Sequence, residues 1–275
     1  MSGVGTTVSE VHPIERLRYV ARAGPADARV LVRETASALS GLGADPAGLV
    51  TACRRILERQ PASGPLWWLA ARALTAADPL AEAWRAAEEL DDDPTPRHLA
   101  DALPDGATLT VVGWPEQVAD ALPRRGDVEV LVIDALGEGT GLVRRLVASD
   151  VDAVEVPEVG IGAAAAASDV VVVEAVAMGG GAVVATVGSY AAAAVGRHAG
   201  AAVWVVAGRG RALPEPLWRS LASRLVRDEP WEADVEIVPL DLVDAVIGPS
   251  GRVAPAEVAR RADCPVAPEL LKEVR

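Results

Sequence analysis

Residues 168–208 read SDVVVVEAVAMGGGAVVATVGSYAAAAVGRHAGAAVWVVAG, and this stretch decides the fold. It opens with the apolar run 170–173, passes through glycines and a series of small residues, and closes with a second apolar run, 203–207. A βαβ unit of a buried parallel sheet has this pattern, with β-branched strands joined by a glycine-rich turn and a helix. The stretch therefore predicts an α/β fold.

Glycines are concentrated between the two apolar runs, at Gly179, Gly180 and Gly181 and again at Gly188, which precedes Ser189. A turn here lies at the carboxyl end of its strand, where open α/β sheets bind ligands. Glycine also lets the backbone approach an anionic group closely. These five residues are candidate ligand-binding residues. A tight turn with close helix packing explains the same glycines, because the segment matches no standard phosphate loop.

The charge of the chain limits its partners. Its 275 residues include 39 acidic and 26 basic side chains, a formal net charge of −13. Such a charge repels phosphate backbones, so we expect no direct binding of nucleic acid. No apolar run approaches the roughly 20 residues of a membrane-spanning helix, and the N-terminus has no charged-then-apolar signal. We therefore expect a cytoplasmic protein without a membrane partner.

Metal and cofactor motifs are weak in this sequence. Cys53 and Cys264 lie far apart, and no Cys or His stands at metal-ligand spacing, so neither a disulfide framework nor a metal site is predicted. Residues 160–165, GIGAAA, imitate a dinucleotide-binding fingerprint. They follow the third predicted strand, however, and no acidic residue stands at a strand end about 20 residues further on. We predict no bound cofactor.

The N-terminal part, residues 1–105, is predicted to form a helical domain. Asp45 and Asp78 each precede a proline, which is a typical helix start. Stops between amphipathic segments divide the region into helices at 13–23, 26–41, 46–59, 65–76 and 79–90. Trp67 and Trp68 are expected in the core. Because two neighbours cannot share one helix face, the alternative is that one of them lines a domain or subunit interface instead.

From residue 106 to residue 275 the pattern changes to alternating strands and helices. The predicted strands are residues 108–112, 128–133, 151–156, 170–173 and 203–206, with 235–238 as a candidate for a last strand. Strands separated by segments long enough for helices indicate a parallel sheet. We therefore predict a Rossmann-like domain with a mostly parallel sheet after the helical domain.

Four segments, in this order along the chain, resemble those of one known family. Residues 59–66, RQPASGPL, are similar to its Arg-Pro-Thr-(Ser/Ala)-Val-Asn-Leu turn, and residues 134–141 to its Glu-x-Arg-Pro-x-x-x-Gly segment. Residues 188–190, GSY, stand where Gly-Thr-Tyr is usual, and residues 239–253 resemble the closing segment. The family is that of translation initiation factor 2B alpha, beta and delta subunits. It also includes methylthioribose-1-phosphate and ribose-1,5-bisphosphate isomerases.

The sequence departs from this family at the positions that the resemblance implies for catalysis. The isomerases use a Cys after the first Rossmann strand and an Asp in the glycine-rich segment as two acid-base groups. Here residues 113–116 read GWPE, without Cys, and the Asp position falls on Ala175, beside Glu174. Glu174 is the equivalent group if the alignment slips by one residue.

Phosphate-binding positions of the family have changed as well. Its Asn-Lys pair corresponds to Ala185 and Thr186, and the Arg of Glu-x-Arg-Pro to Leu136. Losing these donors removes charge-assisted hydrogen bonds that usually hold phosphate. The resemblance therefore implies a non-catalytic or regulatory homodimer that binds a phosphorylated sugar or nucleotide. A divergent aldose-ketose sugar-phosphate isomerase is the alternative, and an unrelated nucleotide-binding or scaffold protein is the third interpretation.

Charged residues after the predicted strands are the remaining candidates for the site. Glu174 and Asp134 end the fourth and second strands, and Glu158 follows the third. Carboxylates at strand carboxyl ends point into the ligand crevice, so Glu174 and Asp134 are candidate proton carriers and Glu158 a candidate ligand contact. Arg209 and Arg211 follow the 203–206 strand and are candidate replacements for the lost phosphate binders.

Overall fold

A computed structural model describes residues 27–41 and 45–271, apart from the side chains of residues 259 and 261. The helix predicted at residues 13–23 lies outside the described residues. Within the described ranges, no helix is both long and apolar enough to cross a membrane.

Five helices precede the sheet in the described part of the chain; four match the predicted segments 26–41, 46–59, 65–76 and 79–90, and the fifth, at 95–102, was not predicted. They are α1 (Ala28–Ser40), α2 (Pro46–Arg59), α3 (Gly64–Thr75), α4 (Pro79–Asp91) and α5 (Thr95–Ala102). Aspartates begin three of them: the carboxylates of Asp27, Asp45 and Asp78 accept hydrogen bonds from backbone N–H groups of the first turn. Such caps satisfy N–H groups that have no partner inside the helix.

Helix α3 is surrounded by other elements, so both of its tryptophans are fully buried. The indole N–H of Trp67 donates to the carbonyl of Pro61 at 2.9 Å. The ring of Trp68 lies against the backbone of Gly210, in a loop of the following α/β part. Core burial is confirmed for both, and Trp68 lies where the helices meet the α/β part.

The α/β part begins with β1 and contains ten strands and six α-helices among the described residues. The strands are β1 (Thr108–Val112), β2 (Glu129–Asp134), β3 (Asp152–Pro157), β4 (Val170–Glu174), β5 (Ala177–Met178), β6 (Ala182–Thr186), β7 (Ala202–Val206), β8 (Val235–Pro239), β9 (Ala245–Gly248) and β10 (Gly251–Val253). The helices are α6 (Glu116–Ala121), α7 (Gly139–Val147), α8 (Ile161–Ala167), α9 (Ser189–Ala199), α10 (Glu215–Arg224) and α11 (Val258–Arg261). Short 3₁₀ turns lie at Leu122–Arg124, Glu158–Gly160, Pro230–Glu232, Leu240–Leu242, Pro255–Glu257 and Pro268–Leu271.

Seven strands form the main sheet, in the order β10-β9-β7-β4-β1-β2-β3. All neighbours are parallel except β9 and β10, which form an antiparallel hairpin at one edge. The predicted mostly parallel sheet is therefore confirmed. Since β4 lies beside β1 and β7 beside β4, the carboxyl ends of the strands meet at one edge, as parallel pairing requires.

The glycine-rich stretch differs from its prediction as a turn that leads directly into a helix. Gly179, Gly180 and Gly181 connect β5 to β6, and these strands form a small antiparallel sheet with β8. The predicted strand at 235–238 is therefore real but lies outside the main sheet. Both faces of β6 are buried, with Val183 and Val184 in different apolar clusters, so the strand lacks the alternating polarity that would have revealed it.

One apolar cluster joins the helices to the α/β part. It contains the buried residues of α1 to α4 together with Ala177, Val184, Leu217 and Trp218. Helix α3 and helix α10 therefore bury their apolar residues in the same cluster. The division of the chain into domains at 1–105 and 106–275 stays a prediction.

Candidate functional site

A cavity of about 820 Å³ lies at the carboxyl ends of β1, β2 and β4, between the sheet and the N-terminal helices. Its volume falls in the range of small-molecule sites. Charged and polar lining residues come from both parts of the chain: Asp27, Arg29, Arg59, Gln60, Ser63, Glu116, Glu138, Arg145, Glu174, Thr186, Arg211 and Asp234. Trp114, Leu136 and Val176 contribute apolar surface.

Two tight backbone turns bring distant segments to this cavity. Gly113 has a φ of +65° and directs the chain from β1 toward α6; a Cβ there would lie 3.3 Å from Thr186 and 3.4 Å from Glu138. Gly64, at the start of α3, donates to the carbonyl of Val176 at 3.1 Å. Segments 59–66 and 134–141, which carry the family resemblance, and the 113–116 turn, which departs from it, therefore all reach the cavity.

Glu174 is the most constrained carboxylate of the site. Its Oε2 accepts the N–H groups of Gln117 at 2.8 Å and Val118 at 3.1 Å, at the start of α6. Its Oε1 lies 3.2 Å from Nη1 of Arg211. Burial raises the pKa of Glu174 from 4.5 to about 7 and the nearby charge of Glu116 adds to this, while Arg211 and the two N–H groups oppose it.

Two other carboxyls of the cavity have raised pKa values. Glu116 accepts the backbone N–H of Ala28 with both oxygens at 3.2 Å, which ties the start of α1 to α6. Burial raises the pKa of Glu116, and Arg211, whose Nη2 lies 3.7 Å away, opposes this shift. Burial also raises the pKa of Glu138. Both shifts favour the protonated, uncharged form of these carboxyl groups.

Four arginines among the described residues line the same cavity. Arg29 forms ion pairs with Asp27 at 2.8 Å and Asp120 at 3.1 Å, and Arg145 also pairs with Asp120, at 2.6 Å. The guanidinium of Arg145 lies 6.0 Å from the centre of the Trp114 ring. Arg59 is exposed at the end of α2, and Arg211 is nine-tenths buried. The cavity therefore offers cations on several sides, together with the carboxyl groups of Asp27, Glu116, Glu138, Glu174 and Asp234.

Arg211 is held rigidly where it meets Glu174. Its backbone carbonyl accepts the N–H of Met178 at 2.7 Å, and its guanidinium donates to the carbonyl of Ala175. The Nε of Arg211 is buried and has no hydrogen-bond partner among the described residues.

The structure brings only Glu174 and Arg211 of the predicted site residues to this cavity. The carboxylate of Asp134 accepts the N–H of Gly139 at 2.8 Å, at the start of α7. Glu158 is exposed after β3, the edge strand of the main sheet. Neither side chain is part of the cavity wall.

The predicted glycines also lie away from the cavity. A Cβ on Gly179 would lie 2.2 Å from the Trp218 ring, so this turn packs against α10. Gly188 begins α9 with a φ of +94°, next to Ile161 and Val112, and Ser189 is buried in the first turn of that helix. Their roles as ligand-binding residues, like those of Gly180 and Gly181, stay predictions.

Arg209 faces a different part of the molecule from Arg211. Its backbone N–H donates to Oδ2 of Asp93 at 2.7 Å, and the same oxygen accepts from the side chain of Gln117 at 2.8 Å. The side-chain oxygen of Gln117 in turn accepts the N–H of Gly208 at 3.0 Å. Because Gln117 also binds Glu174 through its backbone, this network separates the large cavity from the loop at 208–210.

Sequence reasoning missed most of the charged groups in the cavity. Arg59 begins the 59–66 segment, and its position in a matched segment was an available signal. Glu116 and Trp114 lie in the 113–116 turn, which departs from the family. Arg29 and Arg145 carried no signal, because each is one of several arginines on a predicted helical segment. Only the packing of α1 and α7 against α6 brings them together.

Comparisons with known proteins identify the fold. No family model matches the sequence, and no curated protein sequence matches it. Among solved structures, translation initiation factor eIF-2B of Pyrococcus horikoshii aligns with a TM-score of 0.74 and 16% identity, over 88% of this chain and 97% of that one. The beta subunit of Chaetomium thermophilum eIF2B aligns with a TM-score of 0.68 and 14% identity, over 90% and 89%. The tetrameric eIF2B-beta2-delta2 complex from C. thermophilum gives 0.68 and 17%, over 90% and 93%.

These likenesses define the class of the protein. It is an α/β protein in which a helical N-terminal region precedes a mostly parallel sheet. More particularly, it has the fold of the initiation factor 2B alpha, beta and delta subunits, over nearly the whole length of those chains. The fold expected from the sequence resemblance is confirmed.

Proposed function

We propose that this chain is a non-catalytic, regulatory protein of the initiation factor 2B type, which binds a phosphorylated sugar or nucleotide in the large cavity. The observation that carries the proposal is the convergence of Arg29, Arg59, Arg145 and Arg211 on one cavity of about 820 Å³. Guanidinium groups form strong, directional hydrogen bonds with phosphate oxygens. These arginines occupy different elements from the family's phosphate-binding positions at 136, 185 and 186.

The surroundings of Glu174 favour binding over catalysis. A proton carrier must reach the substrate, whereas both oxygens of Glu174 already contact protein groups. Its side chain is only 8% exposed. Asp134, the other candidate proton carrier, contacts the start of α7 instead. We infer that Glu174 positions Arg211 and the α6 turn at the cavity wall.

A divergent aldose-ketose isomerase is the second candidate, and one observation favours it. The pKa of Glu174 is raised to about 7, where a carboxyl group can both accept and release a proton near neutral pH. Glu116 or Glu138 would supply the second acid-base group, since burial raises the pKa of each and both line the same cavity.

A thermal-shift screen over sugar phosphates, nucleotides and inorganic phosphate tests the binding proposal. A ligand at 100 times its Kd stabilises the folded state by about 2.7 kcal/mol, which such a screen detects. Arg145→Gln should abolish the ligand-induced shift of a hit. Arg144→Gln is the matched control, because Arg144 is the adjacent exposed residue of α7 and lies outside the cavity wall. No shift with any compound, or equal shifts in both variants, would refute the proposal.

The same hits distinguish the two candidates. Each is incubated with the protein and analysed for aldose-to-ketose conversion. Binding without conversion supports the regulatory function. Conversion that Glu174→Gln abolishes, while binding persists, would establish the isomerase instead.

We also propose that the protein is a cytoplasmic homodimer. Support comes from the sequence resemblance and from the oligomeric state named for the similar C. thermophilum complex, which is a tetramer. Sedimentation at micromolar concentration should give a dimer, and a single monomeric species would refute this.

A further inference from the structure

A second cavity, of about 360 Å³, lies at the carboxyl ends of β7 and β9. The loop 207–210 forms one wall and the turn 248–250 between β9 and β10 forms another. Val246, Val253 and Val258 supply an apolar lining. This cavity lies on the same sheet edge as the large one but shares none of its lining residues.

Arg209 is the cation of this second cavity. Its Nη1 lies 3.8 Å from Glu89 and 3.7 Å from Asp263, both beyond hydrogen-bonding distance. Its Nε is buried and without a partner among the described residues. Within the described part of the chain, the hydrogen bond recorded for Arg209 comes from its backbone N–H to Asp93. The side chain of Arg209 is 30% exposed, so its terminal Nη groups, and not the buried Nε, are the donors that a ligand in the cavity could use.

The backbone around Arg209 is fixed before any ligand binds. A Cβ on Gly208 would lie 2.0 Å from the Gln117 side chain, and one on Gly210 would lie 2.9 Å from the Trp68 ring. Gly210 also has a φ of +71°, which favours glycine. The constrained loop fixes the backbone of Arg209, so binding has to order its side chain alone.

The charges near Arg209 select the kind of ligand. Asp263 and Glu89 compensate part of the guanidinium charge, and the apolar walls of this cavity make burial of a doubly charged phosphate costly. A single carboxylate can still form a bidentate pair with the guanidinium. We propose that this cavity binds a small monocarboxylate whose short apolar chain contacts Val246, Val253 and Val258. It is a binding site additional to the large cavity and independent of the function proposed there.

Hexanoate is a suitable probe, with hexylammonium and hexanol as controls for charge and for the apolar chain. Titration calorimetry of the full-length protein should show hexanoate bound more tightly than either control. Arg209→Gln should weaken hexanoate binding about tenfold or more, because a charge-assisted hydrogen bond is lost. Arg219→Gln, at an exposed residue of α10, should leave binding unchanged.

A second variant, with the opposite expected effect on binding, distinguishes a specific loss of binding in Arg209→Gln from a folding defect. Asp263 is exposed, and Asp263→Asn removes a carboxylate that competes for Arg209. This variant should bind hexanoate more tightly than the unchanged protein. The proposal is overturned if millimolar hexanoate does not bind, if hexylammonium binds equally well, or if Arg209→Gln and Asp263→Asn bind like the unchanged protein.

Discussion

Oε1 of Glu174 lies 3.2 Å from Nη1 of Arg211, and both side chains are more than nine-tenths buried. Glu174 ends β4, whereas Arg211 follows β7, so the pair links two neighbouring strands at their carboxyl ends. The pKa of Glu174 is raised and not lowered. The free-energy cost of burying its carboxylate is therefore larger than the stabilisation that Arg211 and the two backbone N–H groups provide. The pair is therefore a pH-sensitive element of stability.

We predict that the free energy of unfolding falls as the pH rises, and that Glu174 causes part of the fall. Glu174 binds its proton more tightly in the folded protein than in the unfolded chain, where its pKa is 4.5. Its stabilising contribution is therefore fully present below pH 4.5 and is lost as the pH rises through about 7. Between about pH 5 and pH 8 this amounts to roughly 2 to 3 kcal/mol.

Urea unfolding of the unchanged protein and of Glu174→Gln at both pH values measures this contribution. The amide cannot titrate, so the variant should lose less stability over this interval. Identical pH dependence in the two proteins would contradict the assignment to Glu174.

Removal of Arg211 should destabilise the protein more at about pH 8 than at about pH 5. At the higher pH, Arg211→Met leaves the buried, ionised Glu174 without its nearest cation, and breaking a buried pair costs about 3 to 5 kcal/mol. At the lower pH Glu174 is protonated, so less charge is left uncompensated. Arg219→Met is the control: its ion pair with Glu215 is exposed on α10, and its loss should cost about 0.5 kcal/mol or less. Equal losses for Arg211→Met at the two pH values would refute the prediction.

The glycine turn between β5 and β6 offers a matched pair of substitutions. A Cβ on Gly179 would lie 2.2 Å from the Trp218 ring, whereas one on Gly181 meets nothing within 4 Å. Gly179→Ala should therefore cost about 1 to 3 kcal/mol, as overpacking of a core does, and Gly181→Ala should cost much less. Urea unfolding compares the two. If Gly179→Ala is as stable as Gly181→Ala, the glycine is not required for packing against Trp218.

The alternating apolar runs made much of this fold predictable from the sequence. Val170 to Val173 is a buried central strand because helices cover both faces of the sheet, and a continuous apolar run is the mark of such a strand. The hairpin at 177–186 was not predictable in this way, since Val183 and Val184 are both buried. The glycines at 179–181 indicated a turn, but they did not show that the turn connects two strands and not a strand and a helix.

The candidate site was less predictable than the fold, for a physical reason. The position of Glu174 was predictable from one rule, that the last residue of a parallel strand lies at the ligand-binding edge of the sheet. Arg29 and Arg145 instead reach the cavity through the packing of α1 and α7, and both pair with Asp120 of α6. Such tertiary convergence has no signature in the local sequence. Asp134 obeyed the same strand-end rule as Glu174, but its carboxylate is engaged by the start of its own following helix.

Asp134 provides a test of whether that carboxylate is structural. Asp134→Ala removes the acceptor of the Gly139 N–H group at the start of α7, and loss of such a contact costs about 0.5 to 2 kcal/mol. Since α7 also carries Arg145, we measure ligand-induced thermal shifts as well as urea unfolding. Glu155→Ala, at an exposed position of β3, is the control and should be nearly neutral. If Asp134 is structural, Asp134→Ala is less stable but retains the ligand-induced shift; if the shift disappears while stability is unchanged, Asp134 belongs to the binding site.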